Sequence, residues 1–553
     1  MRTRFVAAAL TCALLTGGCA VVPTAGPVNP APGLPANAGD PVVGVIVRPP
    51  HSGMTPVAVV QGYLDAMAQP TGDYAIARSY LTPSRAAMWQ PNLFTTVYDG
   101  PGQLEQDGSH IVRLNAARVG TIDHYLRWSA SGPSSQLAVT FGLTQINHEW
   151  RIDSAPNGLL LTGGDVTRGY RGFPIYFGAP SGKVLVADGA LVPVESSNTA
   201  TLLTRLLLHG PASWLTTAVT TGFPRGTALT SGVVPIVNGV AEVDLTSEAL
   251  NATSRERTML AAQLTSTLSA VPDVYSVAIT ISGVPLALPN HRVVLPIDFW
   301  HALLPESQSP SVATFVSRRG PALLDLGRVT PLAGAIRAGI ATNPVLNLPR
   351  TQVAGLTRQH VAVLARADGS VSRTLPGSSN VSALTIDRNG LVWAVRSGAL
   401  LAWNAQGQPI PVFTPNGVRV DRFSIAPDGV RIALSRLVSG ASQLVVGAIT
   451  RRSDGLHIGG LHGVSRNAVS PADVAWSDDT SVVVLVTAPT SSIFDVNSLT
   501  GQNAAVVAVQ QAVDVAASAQ GSILVGTTNG LIWQTSPAFA QEVARGSQPA
   551  FGG

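Results

Sequence analysis

Cysteine is almost absent: two residues in 553, Cys12 and Cys19, both within the first nineteen positions. That count excludes a disulfide framework, a thiolate metal site and thiol or redox catalysis over the body of the chain, so stability must come from packed cores. Charge is scarce as well, at 12% of residues, and Lys183 is the only lysine. The formal net charge is +4, and two of those charges sit on Arg2 and Arg4 at the extreme N-terminus. No basic footprint for a nucleic acid or other polyphosphate follows from such a balance. Long apolar runs are missing too. Hydrophobic residues make up 45% of the chain, yet beyond residue 19 none forms the run of roughly 20 that a spanning helix needs. H-E-x-x-H, EF-hand and G-x-S-x-G patterns do not occur, and no catalytic constellation is expected.

What is present begins with the first nineteen residues, MRTRFVAAALTCALLTGGC. Arg2 and Arg4 precede an apolar run from Phe5 to Leu15 that is too short for a permanent span, and Gly17 and Gly18 lead into Cys19. The segment LTGGC is similar to the bacterial lipobox. The resemblance implies removal of residues 1–18 and acylation of Cys19, the one site residue expected with a defined chemistry; an ordinary secretory signal cut near Gly18 is the alternative. Acyl chains at about 0.8 kcal/mol per buried methylene hold a folded body on a membrane. Residues 19–52, dense in Pro, Gly, Ala and Val, read as an extended spacer.

The body divides by pattern. From 53 to 165, helix signals come first: Thr55 before Pro56, then Val60, Tyr63, Leu64 and Met67 at helical spacing, a second stretch for which Asp73 is the expected cap, and a third after Thr82-Pro83. Alternating strands follow at 111–117, 121–128, 136–143 and 150–153, which predicts an α+β domain. This order resembles the cone-shaped nuclear transport factor 2-like fold. Some relatives of that fold carry a carboxylate in the cone, which singles out Asp123, His124 and Asp153; strand-end polar residues facing water are the plainer explanation.

From 170 to 290, strands at 184–187 and 191–194 precede a helix capped by Asn198 and stopped by Gly210-Pro211. A hairpin turns at Asn238-Gly239, Thr253 and Glu256 have capping-box spacing, and Val277, Ile279 and Ile281 alternate as a last strand. The order ββαββαβ predicts an α/β two-layer domain with helices packed on a sheet. LLLHGP, FPRGTAL, NGVAEVDLT and VYSVAITISG, in that order, resemble the GerMN module of spore-germination and envelope proteins. His209 reads as a helix-end residue favoured by the dipole rather than a base. Gly178, Gly182, Lys183 and Val184 sketch a phosphate loop one residue short and lacking its hydroxyl, and are set aside. Trp214 is either core or a surface ring on which a sugar stacks.

From 310 to 553 four segments align, beginning at Val381, Val420, Pro471 and Ala512, with turns at Gly390, Gly429, Thr480 and Gly521, and a fainter copy starts at Gln352. Spacings near 40 between strand-turn-strand units predict an all-β propeller of six blades, or seven. Asp428, in the phrase APDG, reads as a turn residue rather than a calcium ligand. No cofactor or metal is expected.

This multidomain order, a lipobox, an α+β domain, a GerMN-like module and a propeller, resembles the LpqB family of actinobacterial lipoproteins. The resemblance implies a membrane-anchored, extracytoplasmic accessory protein that engages the extracytoplasmic domain of a two-component sensor histidine kinase. A cell-wall glycan is the alternative partner, and a hydrolase hidden in the propeller is a third class without a motif.

Overall fold

Thr55 opens the first helix as the spacing predicts. Its hydroxyl accepts from the Ala58 N–H, Pro56 takes the first helical position, and Val59, Val60, Tyr63, Leu64 and Met67 of Pro56–Met67 are buried. The computed structural model describes residues 47–552 apart from 133, 195, 197, 289–291, 306–311, 439–440, 466–470 and 487–491. Cys19, the leader and most of the spacer lie outside the described residues. Asp73 does not cap the second helix. The segment Thr71–Ser79 is kinked at its start, where Gly72, Asp73 and Tyr74 take left-handed φ of 61°, 55° and 59°, and Asp73 within that turn pairs with Arg78 at 2.8 Å.

The strands expected at 111–117 and 121–128 are largely one, Ile111–Ile122, which pairs first with Gln136–Ile146 and then with Thr95–Tyr98. Gly120 is no turn: a Cβ there would strike the Trp128 ring, so it permits a close approach. Trp128 belongs to a separate short strand, Trp128–Ala130, reached through a turn. Thr95–Tyr98 and Leu159–Thr162 pair in parallel and are buried almost throughout, so they carry no alternation to read. Helices against a mainly antiparallel sheet make this part α+β.

In the middle part, the strands expected on either side of Asp188-Gly189 are a single strand, Leu185–Pro193, paired along its length with Tyr170–Gly178. Asp-Gly is not a turn here, because Asp188 is buried in an ion pair and Gly189 lies against Leu499 of the propeller. This long hairpin forms its own two-stranded sheet, separate from the five-stranded sheet that contains Val240–Leu245 and Ser276–Ile281. The expected single sheet is therefore two. The helix Ser254–Leu268 touches both: Gln263 donates to the Tyr176 carbonyl at 2.9 Å, while Leu260, Leu264 and Leu268 share a core with Val243 and Ile279. Its capping box is present, with Glu256 accepting from the Thr253 N–H at 2.8 Å. Asn198 precedes the helix Thr199–His209 but makes no side-chain cap. Asn238 and Gly239 take positive φ of 51° and 79°, as the hairpin turn requires.

Six four-stranded blades follow among the described residues. The innermost strands are Ser547–Ala550, Thr342–Leu346, Ala383–Ile386, Val420–Ile425, Asp473–Trp476 and Ala512–Ala517. The ring closes because Ser547–Ala550, from the C-terminal end, pairs with Ala313–Ser317 and completes the first blade. Apolar clusters lie between neighbouring blades; one joins Trp393 and Leu400 to Phe423 and Ile432. The four aligned repeats are the first hairpins of blades three to six. The fainter copy at Gln352 is shifted by one strand, since Gln352–Leu356 and Ala362–Arg366 are the second and third strands of blade two. The wide spacing between Gly429 and Thr480 is filled by a long hairpin, Ala441–Arg452 with Gly455–Gly463, that reaches Trp128–Ala130 of the N-terminal domain.

Candidate functional site

The hairpin Tyr170–Gly178 with Leu185–Pro193 is the element on which the three parts meet. Every residue of Leu185–Val192 is buried, which leaves neither face of that strand to solvent. On one side Arg127, from the turn after Ile111–Ile122, pairs with Asp188 at 2.7 Å and donates to the carbonyls of Gly189 at 2.9 Å and Gly210 at 3.1 Å. The Asp188 carboxylate also accepts from the Ala212 N–H at 2.7 Å. On the other side Arg431 of the propeller, fully buried, pairs with Asp428 at 2.6 Å, donates to the Ala187 carbonyl at 3.0 Å and to the Asp479 carbonyl, and lies 4.8 Å from the Trp476 ring. The Tyr176 hydroxyl donates to the Asp479 carboxylate at 2.6 Å. Buried charges need such full sets of partners, because an unpaired one costs several kcal/mol.

Between these anchors the three parts leave a cleft of about 870 Å³. Asp123, His124 and Tyr125 come from the N-terminal domain, His209 and Trp214 from the middle part, and His462 and Leu499 from the propeller. Asp123 shapes its own turn by accepting from the N–H groups of Tyr125 at 2.9 Å and Arg127 at 2.8 Å. That turn presents a pile of rings: His124 to Tyr125 at 3.7 Å between centroids, and Tyr125 to His209 at 3.8 Å and 19°. Trp214 meets His462 at 4.4 Å. Burial pushes the His462 imidazolium down in pKa, so the ring is neutral near pH 7. Trp128 also lines the cleft, and its Nε1–H donates to the Val464 carbonyl at 2.9 Å.

Four residues singled out in three separate stretches of sequence, Asp123, His124, His209 and Trp214, thus share one cleft. Asp153 is not among its lining residues; it lies exposed on Glu149–Ser154. Gly178 ends the strand Tyr170–Gly178, paired with Leu185, and Gly182 and Lys183 belong to the hairpin turn that follows, where the Gly182 N–H donates to the Ala179 carbonyl at 2.8 Å. Asp428 is a buried turn residue and ion-pair partner. Sequence reasoning passed over Tyr125, Arg127, Asp188 and His462. The one available signal was Asp188-Gly189 inside an apolar stretch with no turn-like neighbours. No group of three His, Cys, Asp or Glu among the described residues is placed to hold a metal ion.

Residues 49–167 match the model of the LpqB lipoprotein N-terminal domain, and residues 316–552 match that of the LpqB β-propeller domain. The chain belongs to the LpqB lipoprotein family. Residues 174–287 match a model described as sporulation and spore germination, the GerMN-type module. LpqB lipoproteins of Cutibacterium acnes and Thermobifida fusca are 28% and 27% identical; each alignment covers 86% of this chain, with 84% and 86% of the relatives. Among solved structures, the tandem GerMN domains of GerM from Bacillus subtilis align over 23% of this chain and 45% of that one, at 16% identity and a TM-score of 0.20. TolB from Acinetobacter baumannii aligns over 52% and 85%, at 10% identity and a TM-score of 0.34. The LpqB N-terminal model, rather than one for nuclear transport factor 2, covers the α+β domain. No helix among the described residues is long and apolar enough to cross a membrane.

Proposed function

We propose that this LpqB-family lipoprotein is tethered through Cys19 on the extracytoplasmic face of the membrane and acts as an accessory binding protein for a two-component sensor histidine kinase. The observation that carries the reading is the double anchoring of the Tyr170–Pro193 hairpin, by Arg127–Asp188 on one side and Arg431, Asp479 and Tyr176 on the other. Three domains joined by buried polar contacts form one compact unit. Such a body presents several surfaces in fixed relation, which suits recognition more than turnover. In this reading the likeness of the α+β domain to nuclear transport factor 2 concerns shape, not chemistry. The kinase itself enters through the family resemblance. A bound partner alters kinase output only by differing in affinity for its signalling states, with couplings of about 1–3 kcal/mol.

The test is reconstitution of the full-length kinase in liposomes with and without the lipidated protein, reading autophosphorylation and direct binding. A change in autophosphorylation that follows surface density is expected. Absence of binding at high density, or binding with unchanged output, overturns the reading. A second reading, binding of cell-wall glycan, is favoured by the aromatic rings of the cleft.

A further inference from the structure

We infer that the cleft between the three domains is a binding site for an uncharged pyranose oligosaccharide. This rests on the second reading above and adds its site and ligand class. A volume of about 870 Å³ falls within the range of roughly 300–1,000 Å³ typical of ligand pockets. Its chemistry selects against the other common ligands. Among the described residues the one arginine lining it, Arg127, is neutralised by Asp188, and its other contacts go to the carbonyls of Gly189 and Gly210. No lysine lines it, so among the described residues a phosphate or carboxylate would meet no unspent cation. A purely apolar ligand would leave Thr121, Ser129, Ser213 and Thr216, which also line the cleft, without exchange for their water.

A pyranose ring satisfies both halves of this wall. Its axial C–H face packs on aromatic rings, and its equatorial hydroxyls both donate and accept hydrogen bonds. The cleft is lined by two groups of rings, Tyr125 with His124 and His209, and Trp214 with His462, with neutral hydroxyls alongside. The rings are also well fixed. Tyr125 belongs to the turn braced by Asp123, and Trp214 packs where Gly460 lets the propeller backbone approach it. Preorganised aromatics lose little entropy on binding. Because the lining is drawn from all three domains, an oligosaccharide that fills the cleft touches each of them.

The test uses the mature chain carrying Cys19→Ser, titrated with N-acetylglucosamine and glucose oligosaccharides of two to five units, by calorimetry and by the fluorescence of Trp128 and Trp214. Saturable binding is expected, and Trp214→Ala weakens it by about ten-fold or more. His209 is exposed at a helix end, so His209→Ala keeps the fold and is expected to weaken binding several-fold, with an unchanged thermal midpoint as control. Undiminished binding in both variants overturns the site but leaves glycan binding standing. No saturable binding of any neutral oligosaccharide, with purified cell wall also failing to retain the wild type, overturns site and second reading together. Tighter binding of acidic sugars overturns the ligand class. Loss of kinase-domain binding in Trp214→Ala without sugar binding assigns the cleft to a protein segment and overturns the proposal.

Discussion

Arg431 and Asp428 are nearly inaccessible, with side-chain exposures of 1% and 0%, and the arginine survives there because every donor group has an acceptor from a different element. Removing one partner strands the other. Arg431→Met is therefore expected to destabilise the protein by about 3–5 kcal/mol in urea unfolding. The double variant Arg431→Met, Asp428→Asn should recover part of that loss, because it leaves no charge unpaired. The role of Asp428 as a turn residue was readable, since its carboxylate accepts from the N–H groups of Val430 at 2.6 Å and Arg431 at 2.9 Å. The inward course of Arg431 was not. It depends on the carbonyls of Ala187 and Asp479, which lie 244 and 48 residues away in sequence. A second residue-scale expectation concerns pH. Burial raises the Asp473 carboxyl to about 7, aided by the neighbouring Asp514 charge and opposed by the Val515 N–H and Arg422. A carboxyl whose folded pKa exceeds its unfolded value binds protons more tightly in the folded state. Its stabilisation is complete below about pH 4 and is lost as pH rises through about 7. Asp495, raised to about 6, acts in the same direction. The urea midpoint should fall between pH 5 and pH 8, and Asp473→Asn should flatten that fall. The side chain is still 23% exposed, so the slope will be shallower than for a fully enclosed group.

Among the elements, those that carry their own start and stop were legible: the helices opened by Thr55, Thr82 and Thr253, and the hairpin at Asn238-Gly239. Those missed or misread take their meaning from distant partners. Asp188-Gly189 looks like a turn until Arg127 and Leu499 are beside it, and Thr95–Tyr98 has no period because both its faces are covered. The first blade was invisible to the repeat, since its innermost strand comes from the other end of the chain. The cleft was hidden for the same reason: its residues were found singly, each with an ordinary explanation, and only tertiary contact makes them a group. The closing strand Ser547–Ala550 gives the sharpest test at this scale. It pairs with Ala313–Ser317, its Gln548 accepts from the Asn343 N–H at 3.0 Å in the second blade, and the Gln548 N–H donates to Asp514 at 3.3 Å in the sixth. Deleting 547–553 should therefore open the ring at three blades and expose strand edges and the Phe315 cluster. Rapid proteolysis within 313–546, with 53–170 more resistant, is the expected pattern. A truncated chain as protease-resistant as the wild type would show that closure contributes little.

At the scale of the whole molecule, the proposed tethering of one compact body would make the membrane part of its binding equilibrium. If the proposed function holds, confinement of this protein and a kinase to one surface turns a modest intrinsic affinity into a high occupancy, because the effective concentration is then set by the tether rather than by the bulk. Arg48 and Ser52 are already held on the N-terminal domain by Tyr80 and Glu149, so the 27 residues from Ala20 to Ile46 predict, from their Pro-rich composition, a reach of up to roughly 80 Å at about 3 Å per residue. The tether should then matter more to signalling than any single surface residue. Cys19→Ser is expected to move the protein from the membrane fraction to the soluble one, with acyl mass present on the N-terminus of the wild type alone. In the liposome assay the same variant should still engage the kinase, but only at bulk concentrations on the order of 10² to 10⁴ times higher for equal effect. Two results separate the parts of this argument. If Cys19→Ser stays with the membrane and the wild type carries no acyl chain, the anchor is elsewhere. If the soluble variant acts at the same concentration as the lipidated protein, the contact is intrinsically tight and the tether serves only to keep the molecule in the envelope.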